Sequence, residues 1–211
     1  MTPAEKPRPR RSLMLHLVPA SAALLFFAWL ADKVGRGRTQ QFDDRIRTLV
    51  HAHASPTLTA AMRGISLIGE PGVLIALGLV AVVFFMRTAR PRRVSLFAIT
   101  VAGAEVLDQL LKMVFHRLRP ATFFALTEPV GYSFPSGHAL VSCAFFGALA
   151  VFEAARSGRR ARRWWYYIAA AVPIAAIGLS RIYLGMHYPT DVLGGWAAAA
   201  AWLFSVKLAR R

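Results

Sequence analysis

The segment SFPSGHALVSCAFFGALAVFEAA, residues 133–155, joins a polar entrance to an apolar run of membrane-spanning length. After the quartet PSGH, residues 135–138, almost every side chain is apolar up to Glu153. An α-helix needs about 20 mostly apolar residues to cross a bilayer. The segment therefore predicts a transmembrane helix that begins with a titratable histidine, an unusual position that calls for a functional explanation.

The composition of the whole chain is that of a membrane protein. Hydrophobic residues make up 56% of the 211 positions, yet 26 Lys and Arg face only 10 Asp and Glu, for a formal net charge of +16. In a soluble protein this charge would suggest a nucleic-acid binder with a basic face. Here the basic clusters alternate with long apolar blocks, so we expect membrane lipids as the surroundings and no nucleic-acid partner.

The apolar blocks predict an all-α polytopic membrane protein, with six transmembrane helices in one domain that covers residues 1–211. The spans are expected at residues 13–31, 65–86, 94–115, 136–155, 164–184 and 189–208. Between the first two spans, apolar residues recur at helical spacing at Phe42, Ile46, Leu49 and Val50. This spacing predicts a short amphipathic helix at the membrane surface in the first outer loop.

The basic residues orient these helices, because Lys and Arg concentrate in the cytoplasmic loops of membrane proteins. With the N-terminus inside, the segments KPRPRR, RTARPRR, RSGRRARR and KLARR all fall on one side. We therefore expect an inner-membrane protein with both termini in the cytoplasm. The PSGH quartet then lies at the opposite, periplasmic or extracellular face.

Three cationic side chains are expected together on that outer face. Lys112 and Arg119 lie at the end of the third span, and Arg181 lies near the end of the fifth. They bring more positive charge than a membrane surface needs, and a guanidinium binds phosphate through two parallel hydrogen bonds. We interpret the three side chains as a clamp for an anion.

Two histidines are expected beside these cations. His138 follows Ser136 and Gly137, a cap residue and a small residue that let free N–H groups and the helix dipole meet a phosphate oxygen. His187 lies just before the last span, so Asp191 falls within its reach. A carboxylate that holds one ring nitrogen leaves the other free as a nucleophile or base. The pattern predicts that one histidine attacks phosphorus and the other protonates the leaving group.

The third span carries further charges at Glu105, Asp108 and Lys112. Charges inside a membrane usually face the interior of the helix bundle. Asp108 precedes Lys112 by four residues and could hold its ammonium toward the site, with Glu105 as a further supporting group. A local ion pair at a water-lined helix end is the alternative. His116 and Arg117 are expected to face solvent or lipid headgroups.

At these residues the sequence resembles the type-2 phosphatidate phosphatase family of integral membrane lipid phosphatases. The family's three signatures are matched by KMVFHRLRP at 112–120, PSGH at 135–138 and SRIYLGMHYPTD at 180–191. The resemblance implies that His187 becomes phosphorylated, that Asp191 orients it, and that His138 acts first as an acid and then as a base. It also implies no metal, no other cofactor, and phosphate binding by Lys112, Arg119, Ser136, Gly137 and Arg181.

The predicted function is hydrolysis of a lipid phosphomonoester or diphosphate at the outer face through a phosphohistidine. Undecaprenyl diphosphate is the first choice, because an outward-facing site suits a carrier lipid released on that side. Phosphatidylglycerol phosphate, phosphatidate and diacylglycerol pyrophosphate are alternatives that the signatures do not distinguish.

Two other classes of protein fit the sequence less well than a lipid phosphatase does. Vanadate-dependent halide oxidation shares the signatures, but it occurs in soluble helical proteins, and six spans disfavour it. A transporter or a scaffold that binds anionic lipid would need the cations but would have no use for the two histidines and the aspartate. Stretches rich in Ala and Gly can pack helices within one chain or between chains, so the oligomeric state stays open.

Overall fold

The computed structural model describes residues 10–88, 91–124 and 130–209. Over these residues the chain is all-α, as predicted, with eight helices and no strand. The helices are α1 (Arg10–Gly35), α2 (Gln40–Ala52), α3 (Pro56–Ile68), α4 (Pro71–Thr88), α5 (Pro91–Phe115), α6 (Gly137–Arg156), α7 (Arg160–Tyr183) and α8 (Pro189–Ala209). The basic segments KPRPRR, RTARPRR and KLARR, which predict the orientation of the chain, lie partly outside the described residues.

Several of the described helices can cross a membrane. By length and hydropathy they are α1, α5, α6 and α7, and the bent pair of α3 and α4 adds a fifth if it forms one span. Helix α8, which has 21 residues and covers the last predicted span, is not among these helices over the described residues. The multi-pass helical architecture is therefore confirmed, whereas the predicted count of six spans is not.

The second predicted span, residues 65–86, is interrupted, which corrects the expectation of one continuous helix. Helix α3 ends at Ile68 and α4 begins at Pro71, with a bend of 53° between them. Proline has no N–H to donate to the preceding turn, so it starts a helix more readily than it continues one. The bend places Gly69 and Glu70 in the wall of a polar cavity.

The amphipathic helix predicted in the first outer loop is present as α2. Its apolar residues Phe42 and Leu49 are 51% and 56% exposed, whereas Asp43 is completely buried. A membrane surface can take up exposed apolar side chains, but a buried carboxylate needs partners inside the protein. Helix α2 therefore turns a polar side toward α7 and α8, against which it packs.

Helix α6 is the central helix and packs against α4, α5, α7 and α8. Its Phe145 meets Phe97 of α5 edge to face, with ring centroids 5.5 Å apart, and Phe152 meets Phe85 of α4 in the same way. Lipid tails are as apolar as these rings, so the contacts stabilise the bundle through close packing rather than through removal from water. This packing fixes the position of the polar start of α6.

A glycine allows α8 to approach α6 closely. A Cβ added at Gly195 would lie 2.7 Å from the carbonyl oxygen of Ser136 and 3.0 Å from the Cβ of Ala139. Small residues commonly bring membrane helices together in this way. The Ser136 N–H donates to the backbone oxygen of Asp191 at 2.9 Å, which joins the start of α6 to the first turn of α8.

Candidate active site

An open cavity at one end of the bundle collects the three sequence signatures. Its empty volume is about 820 Å³, and its wall is built by the α3–α4 bend, α5, α6, α7 and the turn before α8. The predicted site residues in this wall are Glu105, Asp108, Lys112, Arg119, Gly137, His138, Arg181 and His187. Ser136 and Asp191 are buried beside the cavity. Ser136 precedes Gly137 in the chain, and Asp191 contacts His187. The structure thus brings all the predicted site residues together.

His187 and Asp191 form a buried pair. His187 Nδ1 lies 3.4 Å from Asp191 Oδ2, which also accepts hydrogen bonds from the Ser133 hydroxyl and, at 2.9 Å, from the Tyr188 N–H. On the other side of the ring, Arg119 Nη1 lies 3.2 Å from His187 Nε2. A guanidinium can only donate, so Nε2 is the accepting nitrogen and the ring proton lies on Nδ1, facing the carboxylate. Nε2, whose lone pair accepts from Arg119, is therefore the ring nitrogen without a proton.

Burial lowers the pKa of the His187 imidazole to about 4, and the charges of Arg119 and Arg181 lower it as well. The hydrogen bond and the charge of Asp191 act in the opposite direction but do not overcome burial. The ring is therefore neutral at physiological pH. As the pH falls through this pKa the ring gains a proton, so any reaction that uses the Nε2 lone pair declines in acid.

The charged residues of α5 lie on the same wall of the cavity. Lys112 Nζ donates to Asp108 Oδ2 at 2.6 Å, and the Asp108 side chain is almost completely buried. Glu105, one turn earlier, accepts a hydrogen bond from Gln109 at 3.0 Å. The structure therefore places Asp108 where it can hold the Lys112 ammonium, while Glu105 contributes a carboxylate to the rim of the cavity.

The two arginines of the clamp are held by neutral partners. Arg119 donates from Nε to the Gly131 oxygen at 3.1 Å and from Nη1 to the Met186 oxygen at 3.3 Å. Arg181, which is buried, donates from Nη1 to the Ser66 hydroxyl at 2.6 Å. Each guanidinium carries five N–H groups, so these bonds leave donors for an anion. No carboxylate is among these hydrogen-bond partners, so neither guanidinium is engaged in a direct ion pair.

His138 lies in the first turn of α6 and faces the α3–α4 bend. Its Nε2 is 3.4 Å from Glu70 Oε1. A Cβ added at Gly69 would lie 3.0 Å from His138 Cδ2 and 2.6 Å from Ile177 Cγ2, so the absence of a side chain at Gly69 permits this approach. The sequence did not predict Glu70 or Gly69 as site residues, because the imidazole they meet lies far along the chain.

Three buried polar atoms at the site make no hydrogen bond among the described residues. They are the donors Ser136 Oγ and Arg181 Nε, and His138 Nε2, which has Glu70 Oε1 at 3.4 Å without hydrogen-bond geometry. Ser136 is the N-cap residue of α6, as expected, but its hydroxyl makes no capping hydrogen bond. A buried polar group left unpaired costs about 1–3 kcal/mol. An anion with several acceptor oxygens is the ligand that would satisfy such a group of donors.

The expectation that Arg117 faces solvent or headgroups is wrong. Its side chain is only 11% exposed and forms ion pairs of 2.7 Å with both Asp43 and Asp191. His116 is exposed, as expected, and packs edge-on against Tyr132. The sequence carries no local indication of the Arg117 contacts, because its two partners lie 74 residues before and 74 residues after it.

A polar, cation-lined cavity at one end of an apolar helix bundle is the architecture of an integral-membrane phosphatase. The chain belongs to the PAP2 superfamily, because the model of that family matches residues 93–211, more than half of the sequence. Its membership agrees with the resemblance that the three signatures carry, and it establishes the protein as a membrane phosphatase of lipid phosphates.

Individual relatives support the same assignment. The chain is 32% identical over 187 residues to phosphatidylglycerophosphatase B of Bacillus subtilis, covering 87% of this chain and 90% of that one. It is 28% identical over 169 residues to the undecaprenyl-diphosphatase of Sulfolobus acidocaldarius, covering 77% and 76%. The crystal structure of a transmembrane PAP2 type phosphatidylglycerolphosphate phosphatase from Bacillus subtilis superposes with a TM-score of 0.83 at 28% identity, covering 90% of this chain and 94% of that one.

Replacing Gly137 with alanine is expected to damage the phosphate site. The new Cβ would lie 2.7 Å from Asp108 Oδ2 and 3.0 Å from Lys112 Nζ, so the ion pair must move. A displacement of about 1 Å at a catalytic site can lower the rate by about 10²-fold, and we expect kcat/KM to fall by that order. Steady-state phosphate release measures the effect. The control is Gly158→Ala, where nothing lies within 4 Å of the added Cβ; equal activity of the two variants would contradict the prediction.

Proposed function

We propose that the protein removes the terminal phosphate of a lipid phosphate through a phosphohistidine at His187. The observation that carries this proposal is the cavity itself, where the Nε2 lone pair of a neutral histidine meets a group of cations and unpaired buried donors. A phosphoryl group has the acceptor oxygens and the negative charge that such a site favours. A scaffold that only bound anionic lipid would not need the buried pair of His187 and Asp191.

In the first step, His187 Nε2 attacks phosphorus while Asp191 holds the ring through its Nδ1 proton. The bond from Nε2 to phosphorus forms and the bond from phosphorus to the lipid oxygen breaks. His138 gives its proton to that leaving oxygen, which departs as a neutral alcohol or as a lipid monophosphate. Lys112, Arg119, Arg181, the Ser136 hydroxyl and the Gly137 N–H would stabilise the charge on the transferred group.

In the second step, a water molecule replaces His187 on phosphorus. His138, now neutral, takes a proton from the water as the new oxygen–phosphorus bond forms and the nitrogen–phosphorus bond breaks. Inorganic phosphate leaves, and both histidines return to their starting protonation states. Because His138 serves as an acid and then as a base, its loss affects both steps, whereas the loss of His187 prevents the covalent intermediate.

A second cavity supports a lipid as the substrate. It has an empty volume of about 1110 Å³, lies between α4 and α5, and shares Pro71, Leu74, Glu105 and Val141 with the polar cavity. Glu105 is the only charged residue in its lining, and the other side chains are apolar. A hydrocarbon chain in this groove would place its phosphate headgroup at the polar cavity.

Among lipid phosphates, undecaprenyl diphosphate remains the first candidate, on the reasoning that an outward-facing site suits a carrier lipid. The similarity to the undecaprenyl-diphosphatase of Sulfolobus acidocaldarius supports it. Phosphatidylglycerol phosphate is the second candidate, supported by the similarity to phosphatidylglycerophosphatase B over nearly the whole of both chains. The two substrates differ in leaving group, a lipid monophosphate in one case and an alcohol in the other.

Phosphate release from a panel of lipids in detergent distinguishes these candidates. We expect the purified protein to hydrolyse undecaprenyl diphosphate with the highest kcat/KM, and a higher value for phosphatidylglycerol phosphate would select the second candidate. His187→Ala serves as the blank for contaminating phosphatases. Folded wild-type protein that released no phosphate from any member of the panel, which also includes phosphatidate and diacylglycerol pyrophosphate, would contradict the proposed function.

Activity is expected to survive a metal chelator. Over the described residues, no group of three or more His, Cys, Asp or Glu side chains is placed to hold a metal ion. Lys112, Arg119 and Arg181 would supply the positive charge that divalent ions supply in other phosphoryl-transfer enzymes. The measurement is phosphate release with and without EDTA, with orthovanadate as an inhibitor that can adopt the geometry of phosphoryl transfer. Loss of activity in EDTA that Mg²⁺ restores would contradict a metal-free mechanism.

We further propose that residues 1–211 form one membrane-embedded domain of the inner membrane, with both termini in the cytoplasm and the cavity on the outer side. The basic loop between α6 and α7 supports this orientation. In a Cys143→Ala background, Val130→Cys is expected to react with an impermeant maleimide in spheroplasts, because position 130 is 99% exposed on the loop before α6. Gly158→Cys, in the basic loop, should react only after lysis. The reverse labelling would contradict the orientation.

A further inference from the structure

Two buried charged residues outside the predicted site are connected to its His187–Asp191 pair. Arg117 Nη1 donates to Asp191 Oδ1 at 2.7 Å, and its Nη2 donates to Asp43 Oδ2 at 2.7 Å. Both carboxylates are completely buried. The Arg117 guanidinium also lies over the Tyr188 ring, 4.0 Å from its centroid. One cation from the loop after α5 therefore joins a carboxylate of α2 to the carboxylate that faces His187.

Asp43 holds this arrangement to the start of α8. Its Oδ1 accepts the Thr190 N–H at 3.0 Å, and its Oδ2 accepts the Thr190 hydroxyl at 2.7 Å. The same hydroxyl oxygen accepts from Arg117 Nη1 at 2.8 Å. An anion at a helix N-terminus is favoured by the free N–H groups and the helix dipole. Asp43 thus acts as a cap for α8 from another helix, and it fixes Arg117 at the same time.

Removing a buried charge from such a set has a large effect, because the partner left behind is not solvated. Burial lowers the pKa of Arg117, but the charges of Asp191 and Asp43 outweigh it and raise the pKa above its ordinary value, so the guanidinium stays charged. Arg117 holds Asp191 Oδ1, while Ser133 and Tyr188 occupy Oδ2 on the side of His187. Both oxygens of the Asp191 carboxylate are therefore hydrogen-bonded, which favours one orientation of the group.

We propose that Arg117 and Asp43 are positioning residues for phosphoryl transfer, which orient Asp191 and set how much negative charge it presents to His187. The inference rests on the proposed function of His187 as the nucleophile. The Arg117 cation offsets part of the electrostatic effect of the Asp191 carboxylate on His187. The Asp43 carboxylate in turn offsets part of the effect of Arg117. The two residues therefore act on His187 in opposite directions, which a purely structural ion pair would not do.

The proposal can be tested with variants at positions 43 and 117, in which the other charged groups near His187 are unchanged. They are Lys112, Asp108 and Glu105 of α5, Arg119 of the following loop, His138 of α6, Arg181 of α7, Glu70 of the α3–α4 bend and Arg47 of α2. A difference between variants therefore reports the change made at position 117 or 43. A neighbouring charge typically shifts a pKa by about one to three units, which sets the scale of the expected effect.

The test is the pH dependence of kcat/KM for nitrophenyl phosphate, together with kcat and KM at neutral pH. In Asp43→Asn the Arg117 cation is no longer offset by Asp43, which favours the neutral form of the His187 ring. The acid limb of the pH profile is therefore expected about one pH unit lower. Arg117→Met exposes His187 to the full Asp191 charge, so the acid limb moves about one unit higher. In both variants kcat falls while KM changes little, and Arg117→Lys, which keeps the charge, restores the wild-type limb.

The matched control is Asp44→Asn, because Asp44 adjoins Asp43 on α2 but is 53% exposed. It is expected to match wild-type protein in kcat, KM and pH profile. If Arg117→Met does not fold, Asp43→Asn alone decides, and an acid limb that does not move overturns the proposal. Shifts of the same sign in both variants overturn it as well. Wild-type protein that releases phosphate but forms no phosphohistidine would instead contradict the proposed mechanism, so the two failures are distinguishable.

Discussion

His187→Ala is expected to abolish hydrolysis of every lipid phosphate and to form no phosphoenzyme. The imidazole Nε2 is the attacking atom of the proposed mechanism, and the described cavity holds it beside Arg119 at 3.2 Å. Removal of the nucleophile from a hydrolase lowers kcat on the order of 10⁶-fold, and we expect a loss of that size. Rapid acid quench after mixing with labelled substrate, followed by phosphopeptide mapping, measures the intermediate directly.

Two further variants sharpen this experiment. His53→Ala removes an exposed histidine after α2 and is expected to keep wild-type activity. Asp191→Asn keeps the His187 ring but removes the charge that orients it, so its rate should fall between those of wild-type protein and His187→Ala. Phosphate trapped on His138 in the His187→Ala protein would reverse the roles assigned to the two histidines.

His138→Ala is expected to show a loss that depends on the leaving group. An alkyl phosphate needs a proton on its departing oxygen, and a positioned acid contributes about 10²–10⁴-fold, so its turnover should fall by that order. A nitrophenolate leaves without a proton, so phosphorylation of His187 by nitrophenyl phosphate should be much less affected. The second step still needs His138 as a base. The variant should therefore release a burst of nitrophenol and accumulate an acid-labile phosphohistidine.

Stopped-flow absorbance of nitrophenol, read beside phosphate release from the lipid, measures both halves of this prediction. The matched variant is Glu70→Gln, because Glu70 Oε1 lies 3.4 Å from His138 Nε2. This variant keeps the imidazole and should not produce the burst. A His138→Ala protein that lost the same factor with alkyl and aryl substrates, and that trapped no phosphoenzyme, would exclude a role in proton transfer.

Most of the helices could be predicted, because whether a segment forms a helix depends mainly on residues that are close together in the sequence. An apolar run of sufficient length identifies a membrane helix, and hydrophobic spacing identifies an amphipathic one, so α1, α2, α5, α6 and α7 agree with the sequence-based expectation. The second span shows where this reasoning ends. Hydropathy averaged over residues 65–86 does not register Pro71, which lacks an N–H donor and begins α4 at the bend of 53°.

The candidate site divides in the same way. His138, His187, Asp191 and the three cations could be named from the sequence, because each belongs to a short motif whose spacing on a helix or at a helix end limits where its side chain can lie. Their distances and protonation could not be named. The assignment of the His187 proton to Nδ1 depends on Arg119, which approaches from a different loop, and the pKa of about 4 depends on burial.

The amino-acid sequence by itself determined the class of protein, the order of its helices and the chemistry available at the cavity. Only the tertiary structure decided what surrounds that chemistry. Asp43 and Asp191 each lie 74 residues from Arg117, and nothing in the local pattern distinguishes this arginine from one that faces the headgroups. The physical reason is that a buried charge is stable only beside its partner, and the meeting of such partners is set by how helices pack, which no short stretch of sequence records.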